Sequence, residues 1–161
     1  ELDQYEQLPT DDETDMNTIC QLASEVAKDN RQKDVEVLFE PAKENLLIRS
    51  NSERISQVLN NLAHNAAKFT TRGSIRIAYS VLEAEKKIEI SVTDTGTGIP
   101  KDQQEAVFER FYKMNSFTQG TGLGLPICRS IAEKLGGSLH IDSSYTDGCR
   151  MVLTLPLVYA E

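Results

Sequence analysis

The sequence predicts an α/β two-layer sandwich, in which a mixed, largely antiparallel β-sheet carries three main helices on one face. Three observations support this fold class. Three segments space their apolar residues by three and four, as amphipathic helices do. Other segments alternate apolar and polar residues, as strands with one buried face do. Two pairs of these strands are joined by short turns, which makes each pair an antiparallel hairpin.

The main helices are predicted at residues 17–33, at 52–69, and from near Leu123 to the glycine pair at 136 and 137. Ser52 is the expected N-cap of the second helix, and residues 103–112 are predicted to hold a short additional helix. The strands are predicted at residues 35–40, 45–50, 74–81, 87–94, 138–143 and 149–157. The turn of the first hairpin falls at Glu83–Glu85.

Length and charge restrict the classes of function. The 161 residues suit one domain, expected over 1–161 with its core at about 17–157 and a lead-in at 1–16. The formal net charge is −8. Nucleic acids and anionic membranes require a surplus of Lys and Arg on one face, so we expect neither as a direct partner. A bound polyphosphate would need a divalent cation to accompany it.

Cysteine spacing and the lack of long apolar runs bear on location. Cys20, Cys128 and Cys149 are odd in number and far apart, which fits neither a disulfide framework nor a zinc site. We expect three buried thiols in a reducing cytoplasm. No apolar run reaches membrane-spanning length. This says nothing about membrane segments elsewhere in a parent protein.

A polar stripe runs along the predicted second helix. Asn61, Asn65 and Lys68 follow one another at helical spacing, at the edge of the apolar face. Amide oxygens are reasonable ligands for Mg²⁺, which takes the rest of its shell from phosphates and water. The alternative is ordinary polarity on an exposed helix surface, and the helix alone does not choose between them.

A second polar position lies at the end of a buried strand. Ile88, Ile90 and Val92 alternate inward, and the same period places Asp94 on the buried side. A buried carboxylate needs hydrogen-bond donors, and the exocyclic amino group of adenine is one. Gly96 and Gly98 would leave room for a flat base, although Asp94 capping its own turn is an equal alternative.

A glycine-rich stretch precedes the third helix. GTGLGL, at residues 120–125, fits a mobile loop followed by helix N–H groups that face phosphate oxygens. It lacks the preceding strand of a dinucleotide fingerprint and the Gly-Lys-Ser/Thr of a P-loop. Lys113 would add a positive charge at the base of this loop, unless it is an ordinary surface lysine.

Four stretches taken together resemble the four boxes of the sensor histidine kinase catalytic domain. They are NLAHNAAKFT at 61–70, DTGTGI at 94–99, FERFY at 108–112 and GTGLGL at 120–125, in that order. The resemblance implies the Bergerat ATP-binding fold, which is shared with type II topoisomerases, mismatch-repair ATPases and heat-shock chaperones. It covers nearly the whole chain, from about residue 17 to 157.

The resemblance also implies an ATP site, residue by residue. Asn65 would coordinate Mg²⁺, with Asn61 one turn earlier near the phosphates and Lys68 on phosphate oxygens. Asp94 would accept from the adenine amino group. The base-binding turn would comprise Gly96, Gly98 and Ile99, and the phosphate-binding lid Lys113, Gly120, Thr121, Gly122, Leu123 and Gly124. Pro126, where the family has a small residue, is tolerated in a first helical turn.

The resemblance favours a kinase over a hydrolase. Hydrolysing relatives carry a glutamate at the position of Asn61, and an amide cannot accept a proton at neutral pH. No residue of this chain is a certain catalytic residue, and Asn61 and Lys113 would assist phosphate positioning. His64 and His140 lack the sequence setting of an acceptor histidine, and both are expected to be exposed.

The implied function is therefore to bind Mg-ATP and donate the γ-phosphoryl group to a histidine in a separate dimerisation domain, for relay to a response regulator receiver domain. The acceptor hairpin would precede the lead-in at 1–16 in a bacterial sensor kinase. The prediction covers a parent kinase with or without a membrane anchor. One alternative is an anti-sigma-type serine/threonine kinase, and another is an interaction module with a degenerate nucleotide site.

Overall fold

The computed structural model describes residues 8–109 and 124–160. In these ranges the helices are α1 (Met16–Asn30), α2 (Ser52–Phe69) and α3 (Leu125–Lys134). The strands are β1 (Asp12–Asp15), β2 (Asp34–Phe39), β3 (Leu47–Ser50), β4 (Arg72–Leu82), β5 (Lys87–Asp94), β6 (Ser138–Ile141) and β7 (Cys149–Pro156). Three 3₁₀ turns lie at Glu83–Glu85, Lys101–Gln103 and Ala106–Phe108.

The main sheet has five strands in the order β2-β4-β5-β7-β6. β2 and β4 are parallel, whereas the other three pairs are antiparallel, which confirms the predicted mixed and largely antiparallel sheet. Both predicted hairpins, β4–β5 and β6–β7, are present. The two strands on either side of Pro41 do not pair with each other, because β3 joins β1 in a separate two-stranded sheet.

Strand register explains why the molecule has two layers. Ile77, Val92 and Met151 stand opposite one another on β4, β5 and β7, and all three are buried. The neighbouring row contains Arg76, Thr93 and Arg150 and points to the other face by the period of two. The apolar face is covered by α1 against β2 and β4, α2 against β4 and β5, and α3 against β6 and β7.

The ends of the helices are set by capping and by glycine. Asn51 caps α2, since its side chain accepts a hydrogen bond from the Arg54 amide at 3.0 Å. The predicted cap, Ser52, is instead the first helical residue, because Asn51 already satisfies an amide of the first turn. Gly124 is the N-cap residue of α3, and Pro126 lies in the first turn as expected.

The short helix predicted at 103–112 is wrong within the described part of that range. Residues 101–109 instead form two separate 3₁₀ turns. Side-chain contacts on α3 hold the second turn. The Arg129 guanidinium lies 3.9 Å from the centre of the Phe108 ring and makes a paired contact with Glu105 at 3.0 and 3.3 Å.

Segments near both ends of the chain build the small sheet. β1 lies within the residues predicted as a lead-in and pairs along its whole length with β3. On the other side of β3, the Arg49 amide donates to the Val158 carbonyl at 2.7 Å, and the Ala160 amide donates to the Leu47 carbonyl at 3.1 Å. The small sheet therefore joins sequence-distant segments around α2.

The three cysteines are buried and unbridged, as predicted, and burial raises the pKa of each thiol to about 12. His140 is exposed on β6. The expectation for His64 is wrong, because this residue is half-buried and its Nδ1 is enclosed without a hydrogen-bond partner among the described residues. No helix in the described ranges is both long and apolar enough to cross a membrane.

Candidate nucleotide-binding site

A cleft opens between the C-terminal half of α2 and the ends of β5 and β7. Its volume is about 370 Å³, counted out to its open mouth. Small-molecule sites are mostly apolar with a few polar groups that converge, and the lining of this cleft has that character. The cleft is lined by Leu62, Asn65, Ala66, Phe69, Val92, Asp94, Thr97, Gly98, Ile99, Cys149 and Met151.

Asp94 provides the carboxylate of this cleft. It is the last residue of β5 and only 6% exposed, on the helix-covered side of the sheet as the alternation predicts. Its Oδ1 accepts hydrogen bonds from the Gly96 amide at 2.8 Å and the Cys149 amide at 3.2 Å. No group among the described residues donates to Oδ2. One carboxylate oxygen is thus held by the protein, while the other remains available on the cleft side.

The surroundings of Asp94 change its acidity in two opposing ways. Burial raises the pKa of the carboxyl above its ordinary value, and the hydrogen bonds from Gly96 and Cys149 act in the other direction. Burial is the larger effect. The carboxylate therefore lies where an incoming donor would relieve an unfavourable charge, as expected for a binding residue.

The turn after Asp94 contains the two predicted glycines, and the structure gives a different reason for them. A Cβ on Gly96 would lie 2.3 Å from the Phe69 carbonyl oxygen, at the end of α2. Gly98 has a φ of +72°, and a Cβ there would lie 2.9 Å from the Gly148 carbonyl oxygen. The space beside each glycine is thus filled by protein backbone and not left open for a base.

These glycines bring the turn close to α2 and to the β6–β7 loop. The Thr97 amide donates to the Phe69 carbonyl at 3.3 Å, which fixes the turn against the end of the helix. Ile99 follows in the lining of the cleft and is 7% exposed. Together with Val92 and Met151 it provides an apolar surface that suits a flat, weakly polar ring.

Asn65 is the polar residue on the opposite wall. It is 7% exposed, it lines the cleft, and its side-chain amide has no hydrogen-bond partner in the described part of the chain. Its amide atoms are not among the enclosed side-chain atoms that lack a partner in the described ranges, so they reach solvent at the cleft. The amide is therefore open to a ligand group such as a hydrated cation or a phosphate.

The other two members of the polar stripe lie elsewhere. Asn61 is 2% exposed, does not line the cleft, and donates through Nδ2 to the Cys128 sulfur at 3.4 Å, where α2 meets α3. The Lys68 ammonium lies 5.8 Å from the centre of the Phe69 ring and is half-buried. Of the stripe, the structure therefore brings only Asn65 to the cleft wall.

The remaining predicted site residues divide into two groups. Gly124 is described and precedes α3, and among the described residues a Cβ there would meet only the Pro126 Cδ, at 3.4 Å. The others lie outside the described residues and are Lys113, Gly120, Thr121, Gly122 and Leu123. Their predicted contacts with phosphate therefore stay predictions.

Sequence reasoning missed the contribution of β7 and the loop before it. Cys149 and Met151 line the cleft, and a Cβ on Gly148 would lie 2.1 Å from the Asp94 carbonyl oxygen. Asp147 followed by Gly148 marks a turn, but nothing local in the sequence places that turn against Asp94. The alternation of β7 was the available signal, since it places Cys149 and Met151 on the buried face.

The described residues contain no group of three or more His, Cys, Asp or Glu side chains that could hold a metal ion. A metal held at this cleft by the described residues would therefore need further ligands, such as oxygens of a bound phosphate and of water. That requirement fits Mg²⁺, which binds through one or two protein oxygens plus phosphates and water.

Comparisons with known proteins agree with this geometry. Residues 50–159 match the family described as Histidine kinase-, DNA gyrase B-, and HSP90-like ATPase. Over 121 residues, the chain is 40% identical to the autoinducer 2 sensor kinase/phosphatase LuxQ of Vibrio cholerae serotype O1. That match covers 71% of this chain but only 14% of LuxQ, so the chain spans about a seventh of this curated relative.

Solved structures show the same relationship. The fold is similar to full-length ShkA in complex with AMPPNP, with a TM-score of 0.78, 25% identity, and coverage of 92% of this chain and 31% of ShkA. It is also similar to the mycobacterial sensor histidine kinase MprB, with a TM-score of 0.77, 25% identity, and coverage of 93% of this chain and 99% of that one. The chain is thus a member of the histidine kinase-, DNA gyrase B- and HSP90-like ATPase family and resembles its sensor histidine kinase catalytic domains.

Proposed function

We propose that this chain binds Mg-ATP and donates the γ-phosphoryl group to an acceptor histidine in a separate dimerisation domain of the same sensor kinase. The receiver domain of a response regulator would then take the phosphoryl group from that histidine. The observation that carries the proposal is the pair of incomplete polar groups across the cleft. The Asp94 Oδ2 and the Asn65 amide both lack a partner within the described chain, and both line the same cleft.

The Asp94 side of the cleft suits adenine. The exocyclic amine of adenine is a hydrogen-bond donor, and Asp94 offers it an acceptor between apolar walls. Gly96, Gly98 and Ile99 would form the turn beneath the base. ShkA, whose structure contains AMPPNP, supports an adenine nucleotide as the occupant of this fold.

The Asn65 side suits the phosphates. Asn65 would hold Mg²⁺ through its amide oxygen, and the bound ion would neutralise phosphate charge near a chain whose own net charge is −8. Lys68 would support the phosphates from the same helix, whereas Asn61 is buried against Cys128 of α3. From the third helix side, Gly124 and the residues before it, Lys113, Gly120, Thr121, Gly122 and Leu123, would complete the phosphate-binding lid.

The side chains at the cleft favour transfer over hydrolysis. Activating a water molecule needs a proton acceptor, and the α2 residue one turn before Asn65 is an amide, Asn61. That amide is buried against Cys128, which cannot act as a base there because burial raises its pKa to about 12. The chain would therefore act by positioning ATP for a nucleophile that arrives from another domain.

The partners and location follow from this role. The acceptor domain would contact the open side of the cleft, and neither nucleic acid nor membrane is expected to bind the domain directly. We further propose a cytoplasmic location for this domain within its parent kinase. The chain would act as one catalytic domain over residues 1–161, with its core at about 17–157.

The direct test is calorimetric titration with ATP, with and without Mg²⁺, beside Asp94→Asn. We expect wild-type binding that strengthens with Mg²⁺ and a loss of about 10- to 100-fold in the variant, as for a hydrogen bond to a charged group. Glu105→Gln is the matched control, because Glu105 is an exposed acidic residue paired with Arg129 and outside the cleft lining. Equal ATP binding by Asp94→Asn would refute the site.

Transfer is tested in the parent kinase. Incubation with γ-labelled ATP should label a histidine outside this chain, and Asn65→Ala should abolish the label while the protein stays folded. Label on serine or threonine of a separate protein would instead indicate the anti-sigma type of kinase. A folded chain with no nucleotide affinity would indicate an interaction module.

A further inference from the structure

The loop between β6 and β7 is ordered by its own side chains. Asp142 begins the loop, and its Oδ1 accepts from the Ser144 amide at 3.0 Å and from the Ser144 hydroxyl at 2.6 Å. Its Oδ2 pairs with the Arg150 guanidinium at 2.8 Å, which connects the start of the loop to β7. The Tyr145 amide donates to the Asp142 carbonyl at 3.2 Å. The backbone of Tyr145 is thus held in a compact turn.

This loop and the first residue of β7 contact Asp94 at three points. The Tyr145 hydroxyl donates to the Asp94 carbonyl at 3.0 Å, and the Cys149 amide donates to Asp94 Oδ1 at 3.2 Å. Gly148 lies so close that an added Cβ would be 2.1 Å from the Asp94 carbonyl oxygen. The loop therefore contacts the main chain of Asp94, and the first residue of β7 holds its side chain.

The place of Asp94 in β5 makes these contacts important. It stands in the last residue pair of the ladder with β7, opposite Cys149, and the chain turns sharply immediately afterwards. On the β7 side the ladder has no further pair beyond Asp94, whereas on the β4 side the Thr95 amide still donates to the Ser74 carbonyl at 3.1 Å. The Tyr145 hydroxyl supplies a hydrogen bond at that point. A change of tilt here would redirect the Asp94 carboxylate.

The Tyr145 hydroxyl suits this role chemically. Tyr145 is half-buried, and burial raises the pKa of its phenol, helped by the nearby charge of Asp147. The hydroxyl therefore stays protonated and keeps donating at neutral pH. Tyr159, whose hydroxyl donates to the Glu83 carboxylate, lies beside the small sheet and outside the cleft lining.

We propose that Tyr145 is a positioning residue for base selection, which holds the Asp94 carboxylate in the orientation that accepts the adenine amine. This inference rests on the proposed function, since it assumes a purine at the Asp94 side of the cleft. Adenine presents a donor at the position where guanine presents an acceptor, so the orientation of one carboxylate discriminates between them.

The test compares ADP and GDP binding in Tyr145→Phe, measured on the same samples by calorimetry. We expect ADP affinity to fall by about 3- to 10-fold, the loss of one neutral hydrogen bond, while GDP affinity stays unchanged. The ADP-to-GDP ratio is the readout, because partial unfolding lowers the fraction of active protein and leaves that ratio unaltered. Tyr159→Phe is the matched control and should keep the wild-type ratio.

The double variant Asp94→Asn/Tyr145→Phe completes the experiment. If Tyr145 acts through Asp94, the double variant should show the same ratio as Asp94→Asn alone. A wild-type ratio in Tyr145→Phe, with a reduced ratio in Asp94→Asn, would overturn the role of Tyr145 and leave the nucleotide site intact. Equal affinity of the wild-type chain for ADP and GDP would overturn the proposed function and this inference together.

Discussion

The two walls of the cleft differ in how far the folded chain satisfies its own polar groups. On the β5 side, the Asp94 carboxylate accepts hydrogen bonds from two backbone amides, and its main-chain carbonyl accepts one from a tyrosine hydroxyl. On the α2 side, the nearly buried Asn65 amide has no partner among the described residues. On the β5 wall, protein contacts thus fix Asp94 and leave its Oδ2 open. On the α2 wall, no contact among the described residues holds the Asn65 amide, and we expect a ligand to complete it.

This difference indicates what each wall does. A wall with fixed hydrogen bonds is rigid before a ligand arrives, and such pre-organisation favours selection of one base over another. A side chain that no protein contact holds can adjust to an incoming ion, and its amide exchanges water for that ion on binding. We therefore expect base recognition to depend on the loop at 142–148 and ion recognition to depend on the middle of α2.

The largest expected effect comes from breaking the β5 wall at Gly148. In Gly148→Ala the new Cβ would overlap the Asp94 carbonyl oxygen, and a backbone atom cannot rotate away. We expect the free energy of unfolding to fall by about 2–3 kcal/mol, as for other overpacked sites, together with loss of ATP binding. Urea denaturation measures the change.

The matched control for that variant is Gly124→Ala. Within the described ranges its Cβ would meet only the Pro126 Cδ at 3.4 Å, an ordinary contact, so the loss of stability should stay below about 1 kcal/mol. Equal destabilisation by the two variants would mean that the contact between Gly148 and Asp94 does not support the fold.

The next largest effect is expected for Asn65 on α2, and it concerns Mg²⁺ binding more than stability. Asn65→Ala should keep the unfolding free energy within about 0.5 kcal/mol of wild type, because the change removes no hydrogen bond. It should nevertheless abolish the increase in ATP affinity that Mg²⁺ provides. Thermal unfolding and paired titrations with and without Mg²⁺ test both parts.

Asn61→Ala, on the same helix, is expected to lower the stability of the fold, unlike Asn65→Ala. The Asn61 amide donates to the Cys128 sulfur between α2 and α3, so its loss should destabilise the fold by about 1 kcal/mol. A destabilised Asn65→Ala beside an unaffected Asn61→Ala would reverse the assignment of the two asparagines.

The smallest expected effect is on the pH dependence of stability. Burial raises the pKa of Asp94, so the folded protein holds this proton more tightly than the unfolded chain does. Stability from this group is therefore present at low pH and is lost as pH rises from the ordinary aspartate value of 3.8 through the raised pKa. Above that range the ionised carboxylate is the costly form.

Asp94→Asn provides the matched comparison, because its amide oxygen still accepts from Gly96 and Cys149 but carries no charge. The stability of Asp94→Asn relative to wild type should increase as the pH is raised from about 3.5 to about 7. Denaturation curves across that range measure it. A relative stability that decreases with pH would show that hydrogen bonding outweighs burial at Asp94.

Much of the fold could be predicted because its signals are local. Alternation and short turns predicted the hairpins β4–β5 and β6–β7, and apolar spacing predicted α1, α2 and α3. The parallel pairing of β2 with β4 was not predicted, and neither was the separate sheet of β1 and β3. Which strands pair is decided by contacts across the chain, and no single segment records it.

Among the site residues, too, those with a local signal in the sequence were predicted and those that depend on distant contacts were not. The inward direction of Asp94 followed from the period of a strand and is confirmed. Asn61 and Asn65 looked equivalent, because only the position of α3 decides which of them is covered. Tyr145 and Gly148 were missed because they lie about 50 residues from Asp94 in the chain and meet it only through the β7 pairing.

The most direct test of the two-wall account is a ¹H–¹⁵N NMR titration of the chain, first with ADP alone and then with added Mg²⁺. We predict that ADP alone shifts the amide signals of Gly96, Gly98 and Cys149, which belong to the β5 wall. Subsequent Mg²⁺ should shift the Asn65 side-chain NH₂ signal. A side-chain signal of Asn65 that stays fixed through both additions, while the β5-wall amides respond, would contradict the claim that the ligand completes the α2 wall.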